Sequence, residues 1–306
     1  MQKPVSKKVI YDLFYQTLER SVQVLPADVR KALEKALAIE ENPVAQLHLK
    51  TFLHNADLGE QQKTFTCGDT GWLMFYVKLG DEMKIEGGLS SLLGIAKEVV
   101  ADMSAAGKLR RTLADPVTRV AIESNVGDLF PKVEILPDAS VETLEVTAVP
   151  KGGGSEIAGT FYRMLLPADG MNGIIRFVMD SFMASSYSGK TCPPNIIGVG
   201  IGGTADVCMA MAKKAAVLRI VGDRHPDPAI AKLELDLISA LNDLGIGAMG
   251  SAGKIAVLDV HVEKGLVHTG ALPVGFNAQC SICKRATGSI TPEEEIFFID
   301  DPKWRE

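Results

Sequence analysis

Apolar residues recur every three to four positions through about the first 60 residues, and that spacing predicts helices. Pro26-Ala27-Asp28 opens one of them, VRKALEKALAIEEN, and Asn42-Pro43 opens the next, VAQLHLKTFLHNA. From residue 72 the texture changes. WLMFYVKLG has the aromatic and β-branched content of a strand, and it closes at Gly80-Asp81. Gly87-Gly88 then precede an amphipathic helix, LSSLLGIAKEVVADMSAAG. Residues 132–166 read as the strands KVEILPD, SVETLEVTAVP and TFYRMLL, with KGGGSE as a loop before the last, and GIIRFVMDSFMASS reads as a helix.

From residue 195 the pattern becomes that of an α/β protein. NIIGVGIGG is an apolar run ending in glycines, and TADVCMAMAKKAA is a helix with Thr204 as its cap. PDPAIAKLELDLISALNDLG is a periodic helix ending at Gly245, and KIAVLDVHVEKG follows as a strand. The tail PEEEIFFIDDPKWRE is acidic and expected to be peripheral. The expected class is therefore mixed α/β with α+β character: a helical N-terminal region over about 1–60, then mixed sheets with packed helices. Residues 1–306 are read as one catalytic domain, with a composition shift near residue 190 as a candidate subdomain boundary.

Composition narrows the function. A chain of 306 residues forms one large domain or two intimately packed ones. A net charge of -6 and a pI near 5.5 argue against a nucleic-acid or anionic-membrane surface. No apolar run approaches the ~18 residues of a membrane span. The start MQKPVSKKVIYDLF is basic but lacks the apolar core of a secretory signal. Five cysteines, an odd number, fit reduced thiols in the cytoplasm better than a disulfide framework.

Three of those cysteines carry the most chemical information. Cys67, Cys192 and Cys280 sit in loop-like settings, TCGDTG, TCPPNIIGVG and NAQCSICKR, and none belongs to a compact zinc or haem motif. Three such thiolates, brought together by folding, can hold three irons of a [4Fe–4S] cube and leave the fourth open as a Lewis acid for a hydroxyl and a carboxylate. Asp69 follows Cys67 by two residues and can place an acid/base group in the same turn; the plainer reading is an ordinary Asp-Thr-Gly turn. Lys151-Gly-Gly-Gly-Ser155 offers successive backbone N–H groups to a carboxylate or phosphate, or is simply a hairpin connection. Arg110-Arg111 is either a dicarboxylate-binding fork or a surface basic cluster.

Arg224 and His225 stand at a helix entrance, where the helix dipole disfavours cations, so they are candidates for anion contact as well as for a solvated turn. Gly198, Gly200 and Gly203 satisfy G-x-G-x-x-G, with Asp223 about 20 residues on, which is the case for an NAD(P)-binding oxidoreductase. Against it, Cys192-Pro193-Pro194 occupies the place where the nucleotide-binding strand should begin. Gly250–Lys254 is rejected as a phosphate loop, because Ala248 replaces the first glycine and Ile255 the Ser or Thr. The single pair Cys280 and Cys283 is not a structural zinc site, and Cys208 is expected to face a core.

The ordered series CGDTGWLMFYVKLG, LRRTLADPVTR with SNVGD, KGGGSE, CPPNIIGVGIGGTAD, GDRHPDP and FNAQC resembles the α subunit of the two-subunit iron–sulfur hydro-lyases, the class I fumarase and L(+)-tartrate dehydratase family, over roughly residues 10–290. The resemblance implies that Cys67, Cys192 and Cys280 ligate a central [4Fe–4S] cluster and that Cys208 and Cys283 are bystanders. It implies that Asp69 binds or protonates the substrate, that Arg110 grips a carboxylate, and that Gly153 and Gly154 lie near the substrate. Arg224 and His225, in GDRHPDP, complete the expected substrate contacts. The implied reaction is reversible hydration of a small dicarboxylate of the fumarate/malate or tartrate type. A separate β subunit of about 200 residues would complete the active site and supply the base, within a higher-order heteromer. One position departs from the family's Cys-Gln-Asp-Thr-Gly: Gly68 replaces the glutamine, which leaves room for a different or bulkier substrate. A non-catalytic member of the family is the remaining alternative.

Overall fold

The computed structural model describes residues 4–142, 144–291, 293–302 and 304, and the sequence expectations that touch the remaining positions lie outside it. The chain begins with helices α1 (Lys7–Gln23), α2 (Ala27–Ile39) and α3 (Pro43–Gln62), then strand β1 (Trp72–Leu79) and helix α4 (Ser90–Ala105). Strands β2 (Lys132–Pro137) and β3 (Leu144–Lys151), the short helix α5 (Gly153–Ile157), strand β4 (Thr160–Leu165) and helix α6 (Gly170–Tyr187) follow. The last part comprises β5 (Asn195–Ile201), α7 (Ala205–Leu218), α8 (Pro228–Asn242), β6 (Val257–Lys264), β7 (Leu272–Gln279), β8 (Ala286–Ile290) and β9 (Ile296–Ile299). The mixed α/β class expected from the pattern is the class observed.

The chain divides into two compact units. The first takes the segment ending at Pro26, Ala56–Gly153 and Lys284–Pro302. Its sheet has the order β2-β1-β3-β8-β9, with β1 parallel to β2 and the other pairs antiparallel. Helix α1 turns Ile10, Leu13, Phe14 and Leu18 inward, the i, i+3, i+4 stripe that its sequence spells, and α4 adds Leu92, Ile95, Val99 and Met103. These meet Leu73, Phe75 and Val77 of β1, and the Phe14 and Phe75 rings lie 5.0 Å apart. Each such side chain fully buried stabilises the unit by about 1.5–3 kcal/mol before the ordering entropy is counted.

The second unit takes Ala27–Asn55 and Gly154–Cys283, with a C-terminal fragment. Its sheet has the order β4-β7-β5-β6; β5 is parallel to β6 and antiparallel to β7. Ile197 and Val199 of β5, in register with Val260 and Val262 of β6, face a core built with Phe177 and Phe182 of α6 and Leu233 and Leu237 of α8. The alternate residues, Gly198 and Gly200, face α7: a Cβ on Gly198 would stand 2.0 Å from the Ala212 carbonyl oxygen, and one on Gly200 2.2 Å from that of Cys208. Those two glycines of the G-x-G-x-x-G pattern are there because a helix backbone lies directly on the strand.

One local expectation is corrected and two are refined. KGGGSE is not simply a loop, since Gly153–Ile157 forms a helical turn. The acidic tail carries β9, the outer strand of the first sheet, paired antiparallel with β8. Thr204 occupies the cap position of α7, but its hydroxyl donates to the Asp206 carboxylate at 2.6 Å rather than accepting from the helix backbone.

Candidate active site

In the first unit, antiparallel pairing determines which loops meet. Trp72, the first residue of β1, is opposite Lys151, the last of β3, so the loop Cys67–Gly71 lies beside the turn that leads to Gly153. Gly71 holds this contact: its φ is +61°, and a Cβ there would stand 1.8 Å from the Lys151 carbonyl oxygen. Because β8 also runs antiparallel to β3, with Ala286 opposite Ala148, residue 284 enters at the same end of the sheet. Candidate residues thus gather where strands end and loops are free to carry chemistry.

Asp69 is fixed at both its side chain and its main chain. Its carboxylate Oδ2 accepts the Gly153 backbone N–H at 2.6 Å, and its carbonyl oxygen accepts from the Lys284 ammonium. Arg110 is exposed and donates from Nη1 to the Gly68 carbonyl oxygen at 2.8 Å. Its own backbone is tied down as well: its N–H donates to the Thr70 hydroxyl at 3.1 Å, and its carbonyl accepts from the Asn125 side-chain amide at 2.9 Å. Asn125, buried and at φ +54°, also donates to Ser104 on α4 and accepts from the Thr112 N–H. That residue anchors the Arg110 segment to the helix beneath it. Arg111, by contrast, pairs with Glu123 at 3.0 Å on the surface. Of the two arginines, only Arg110 belongs to the Asp69 constellation.

The same strand logic operates in the second unit. β5 begins and β7 ends at one edge of the sheet, with Ile196 opposite Gln279, so the loops carrying Cys192 and Cys280 are neighbours. The Ser281 N–H donates to the Cys192 carbonyl at 3.0 Å, and the buried Asn195 amide donates to the Gln279 carbonyl at 3.0 Å. Cys67, Cys192 and Cys280 are all half-buried, whereas Cys208 and Cys283 are buried. Burial pushes the Cys208 thiol up to about 11, and its Sγ donates to the Gly200 carbonyl at 3.2 Å, which makes it an inert core thiol. Gly154 is held against the Lys190 carbonyl, 2.0 Å from where its Cβ would stand.

Arg224 and His225 belong to a different constellation in this unit. Arg224 Nη1 donates to Asp259 Oδ1 at 2.7 Å, and the His225 N–H donates to Glu234 Oε2 at 3.0 Å. Arg219, itself buried, pairs with the fully buried Glu234 at 2.6 Å and with Glu263 at 3.2 Å. His261 Nε2 lies 3.2 Å from Asp259 Oδ2, which also accepts the Gly222 N–H at 2.5 Å. Burial alone would raise the Asp259 carboxyl, but the His261 hydrogen bond and charge, with Arg224 and Gly222, outweigh it and hold the carboxyl below its usual range. The GDRHPDP segment is therefore anchored by carboxylates of β6 and α8.

Sequence reasoning missed Lys284 and Asn125. Neither has a local motif of its own. The usable signals were a lysine among small buried residues, and an asparagine in SNVGD able to adopt a left-handed backbone.

The chain is similar to known proteins along most of its length. The model of the family described as fumarate hydratase (Fumerase) matches residues 11–289. A provisionally named L(+)-tartrate dehydratase subunit alpha of Methanocaldococcus jannaschii is 38% identical over 291 residues, 94% of this chain and 99% of the relative. The L(+)-tartrate dehydratase subunit alpha of Escherichia coli is 31% identical over 265 residues, 86% of this chain and 84% of the relative. That of Shigella boydii matches to the same extent, 31% over 265 residues.

Proposed function

The chain belongs to the fumarate hydratase (Fumerase) family, and from that premise we propose that it is the α subunit of an iron–sulfur hydro-lyase acting on a small 2-hydroxy dicarboxylate of the malate or tartrate type. One observation carries the reading: the exposed Arg110 guanidinium, the Asp69 carboxylate and the Cys67 thiol share one strand end, where named hydrogen bonds fix the main chains of Arg110 and Asp69. A planar guanidinium that binds a carboxylate in two places, next to a second group able to exchange a proton, is what a hydroxy dicarboxylate requires.

The donor set suits an iron–sulfur cube. Cys67, Cys192 and Cys280 are the three cysteines left half-buried, in loops at strand ends, and thiolates are the soft ligands that such irons prefer. Among the described residues no three His, Cys, Asp or Glu side chains are grouped closely enough to hold a single metal ion, whereas a cube takes one thiolate per iron. When bound, the cluster would supply a Lewis acid for the substrate hydroxyl through its iron without a cysteine.

Dehydration removes a proton from one carbon and hydroxide from its neighbour, so no oxidant or reductant enters the balance. Arg110 holds a substrate carboxylate. Asp69, oriented by the Gly153 N–H, would in its carboxylic-acid form give a proton to the departing hydroxide, so that water leaves; Asp69 is then reprotonated from solvent while the base returns the proton it took from carbon. Gly153 keeps the carboxylate reachable, because a Cβ there would lie 3.3 Å from Oδ2. Arg224 and His225 contribute to anion binding from their carboxylate-anchored segment. The base belongs to a separate β subunit, the counterpart implied by relatives named as alpha subunits. The working enzyme is then a heteromer of the cytoplasm. The Cys192-proximal glycines, taken up by packing against α7, give the NAD(P) reading no support.

The test is an anaerobic assay of fumarate, malate and tartrate with the reconstituted chain, alone and with its β subunit. Turnover that appears only with the partner is expected. Full activity from the chain alone would overturn the division of labour, and no activity from the complex on any dicarboxylate would overturn the reaction class.

A further inference from the structure

Two successive carbonyls of one loop are each bound by a cation: Gly68 by Arg110 and Asp69 by Lys284. The two cations differ in one respect. Arg110 is exposed, whereas Lys284 is only 2% exposed. Among the described residues neither has a carboxylate oxygen within 4.0 Å. Asp69 itself turns its carboxylate to the Gly153 N–H instead.

A buried ammonium whose only partner is a neutral carbonyl is costly, since desolvation is offset only when an opposite charge comes close. Negative charge supplied by something the chain binds would offset that cost. An exposed cation serves an anion that comes and goes. A buried one serves an anion that stays. The loop held by Lys284 begins at Cys67, and Lys284 itself follows Cys280 by four residues and Cys283 by one.

We propose that Lys284 is an internal counter-cation on the Cys67 side of the site, a positioning residue that offsets the negative charge brought there by the Cys67 thiolate and the cluster it would hold, and that holds the Cys67–Asp69 loop by its main chain. This rests on the cluster reading above, and it assigns a role to a residue outside the ligand and substrate-binding sets.

Removing the charge should stabilise the iron-free protein and weaken the loaded one. Lys284→Met, Lys284→Gln and Lys284→Arg are prepared anaerobically as full chains, each without iron and after reconstitution with ferrous iron and sulfide. Iron-free Lys284→Met is expected to melt a few degrees above iron-free wild type, because an uncompensated buried charge has gone. Once reconstituted, it should lose iron to a chelator roughly 10-fold faster, the usual scale for groups just behind metal ligands. Lys284→Gln, which keeps a donor without the charge, should follow Lys284→Met, and Lys284→Arg should restore retention. A lower melting temperature for iron-free Lys284→Met, or failure to fold, would mean a purely structural lysine and overturn the proposal. So would iron retention equal to wild type, or retention rescued by glutamine. If wild type itself takes up no iron, the cluster reading falls first, and this inference falls with it.

Discussion

Asp69 and Gly153 meet at the end of the first sheet, where the Asp69 carboxylate accepts the Gly153 backbone N–H at 2.6 Å. The contact exists because β1 and β3 run antiparallel, and it is close because residue 153 has no side chain.

Adjacent glycines should therefore give opposite phenotypes. In Gly153→Ala the new methyl lies 3.3 Å from Asp69 Oδ2 and displaces the carboxylate, so kcat should fall about 10- to 100-fold, the scale of a misplaced catalytic group, with little change in melting temperature. In Gly154→Ala the methyl would meet the Lys190 backbone at 2.0 Å, and the loss should appear as stability, about 1–3 kcal/mol. Paired melting curves and initial rates separate the two. A Gly153→Ala protein that is unstable yet fully active when folded would contradict the assignment.

The arginines at 110 and 111 should likewise part company. Arg110→Ala removes the exposed fork beside Asp69 and should reduce kcat/KM for a dicarboxylate by about 2–5 kcal/mol, tens- to thousands-fold, with iron content unchanged. Arg111→Ala breaks only a surface pair with Glu123, worth about 0–1 kcal/mol at most. Steady-state kinetics with matched iron assays decide it. Equal effects at the two positions would mean that the grip on the carboxylate lies elsewhere.

How far the sequence reaches is clear from particular segments. Leu13, Phe14 and Leu18 in α1, Val29, Leu33 and Ala36 in α2, and Ala45, Leu49 and Ala56 in α3 recur with helical spacing, so the three helices are legible from pattern alone. β7 and β8 are not: LPVGFNAQ and ATGSI are buried nearly throughout, so no polar face alternates with an apolar one, and polar residues stand inside among small ones. Thr147 and Thr287, for example, share a buried hydroxyl contact of 2.6 Å across β3 and β8. Local composition also hides α5, whose glycines are poor helix formers held by Asp69 and Lys190. Cys67, Asp69 and Arg110 stand out as candidates because loop cysteines and paired arginines suggest chemistry. Lys284 does not, because its meaning comes from burial and from a carbonyl 215 residues away in sequence.

Acid should weaken the second unit through Asp259. Its folded pKa lies below the ordinary carboxyl value of ~3.9, so its contribution is complete above about pH 4 and is lost as pH falls through the folded pKa. Asp259→Asn leaves Arg224 and His261 facing a neutral partner and should cost roughly 3 kcal/mol at pH 7, the scale of a broken buried pair. Urea titrations at pH 7, 5 and 3.5 should show that gap steady between the first two and narrowing at the third. A gap that widens on acidification would contradict the sign.

The central claim is that three named thiolates hold one cluster, and iron and sulfide content after anaerobic reconstitution tests it most directly. Wild type should bind about four irons and four sulfides per chain, as should Cys208→Ser and Cys283→Ser, whose thiols are buried in the folded protein. Cys67→Ser, Cys192→Ser and Cys280→Ser should each lose the cluster while keeping the far-ultraviolet circular dichroism of wild type, because a hydroxyl is a poor iron ligand beside thiolates. A folded wild-type chain that binds no iron, or a set in which Cys283→Ser bleaches the protein and Cys280→Ser does not, would contradict the claim.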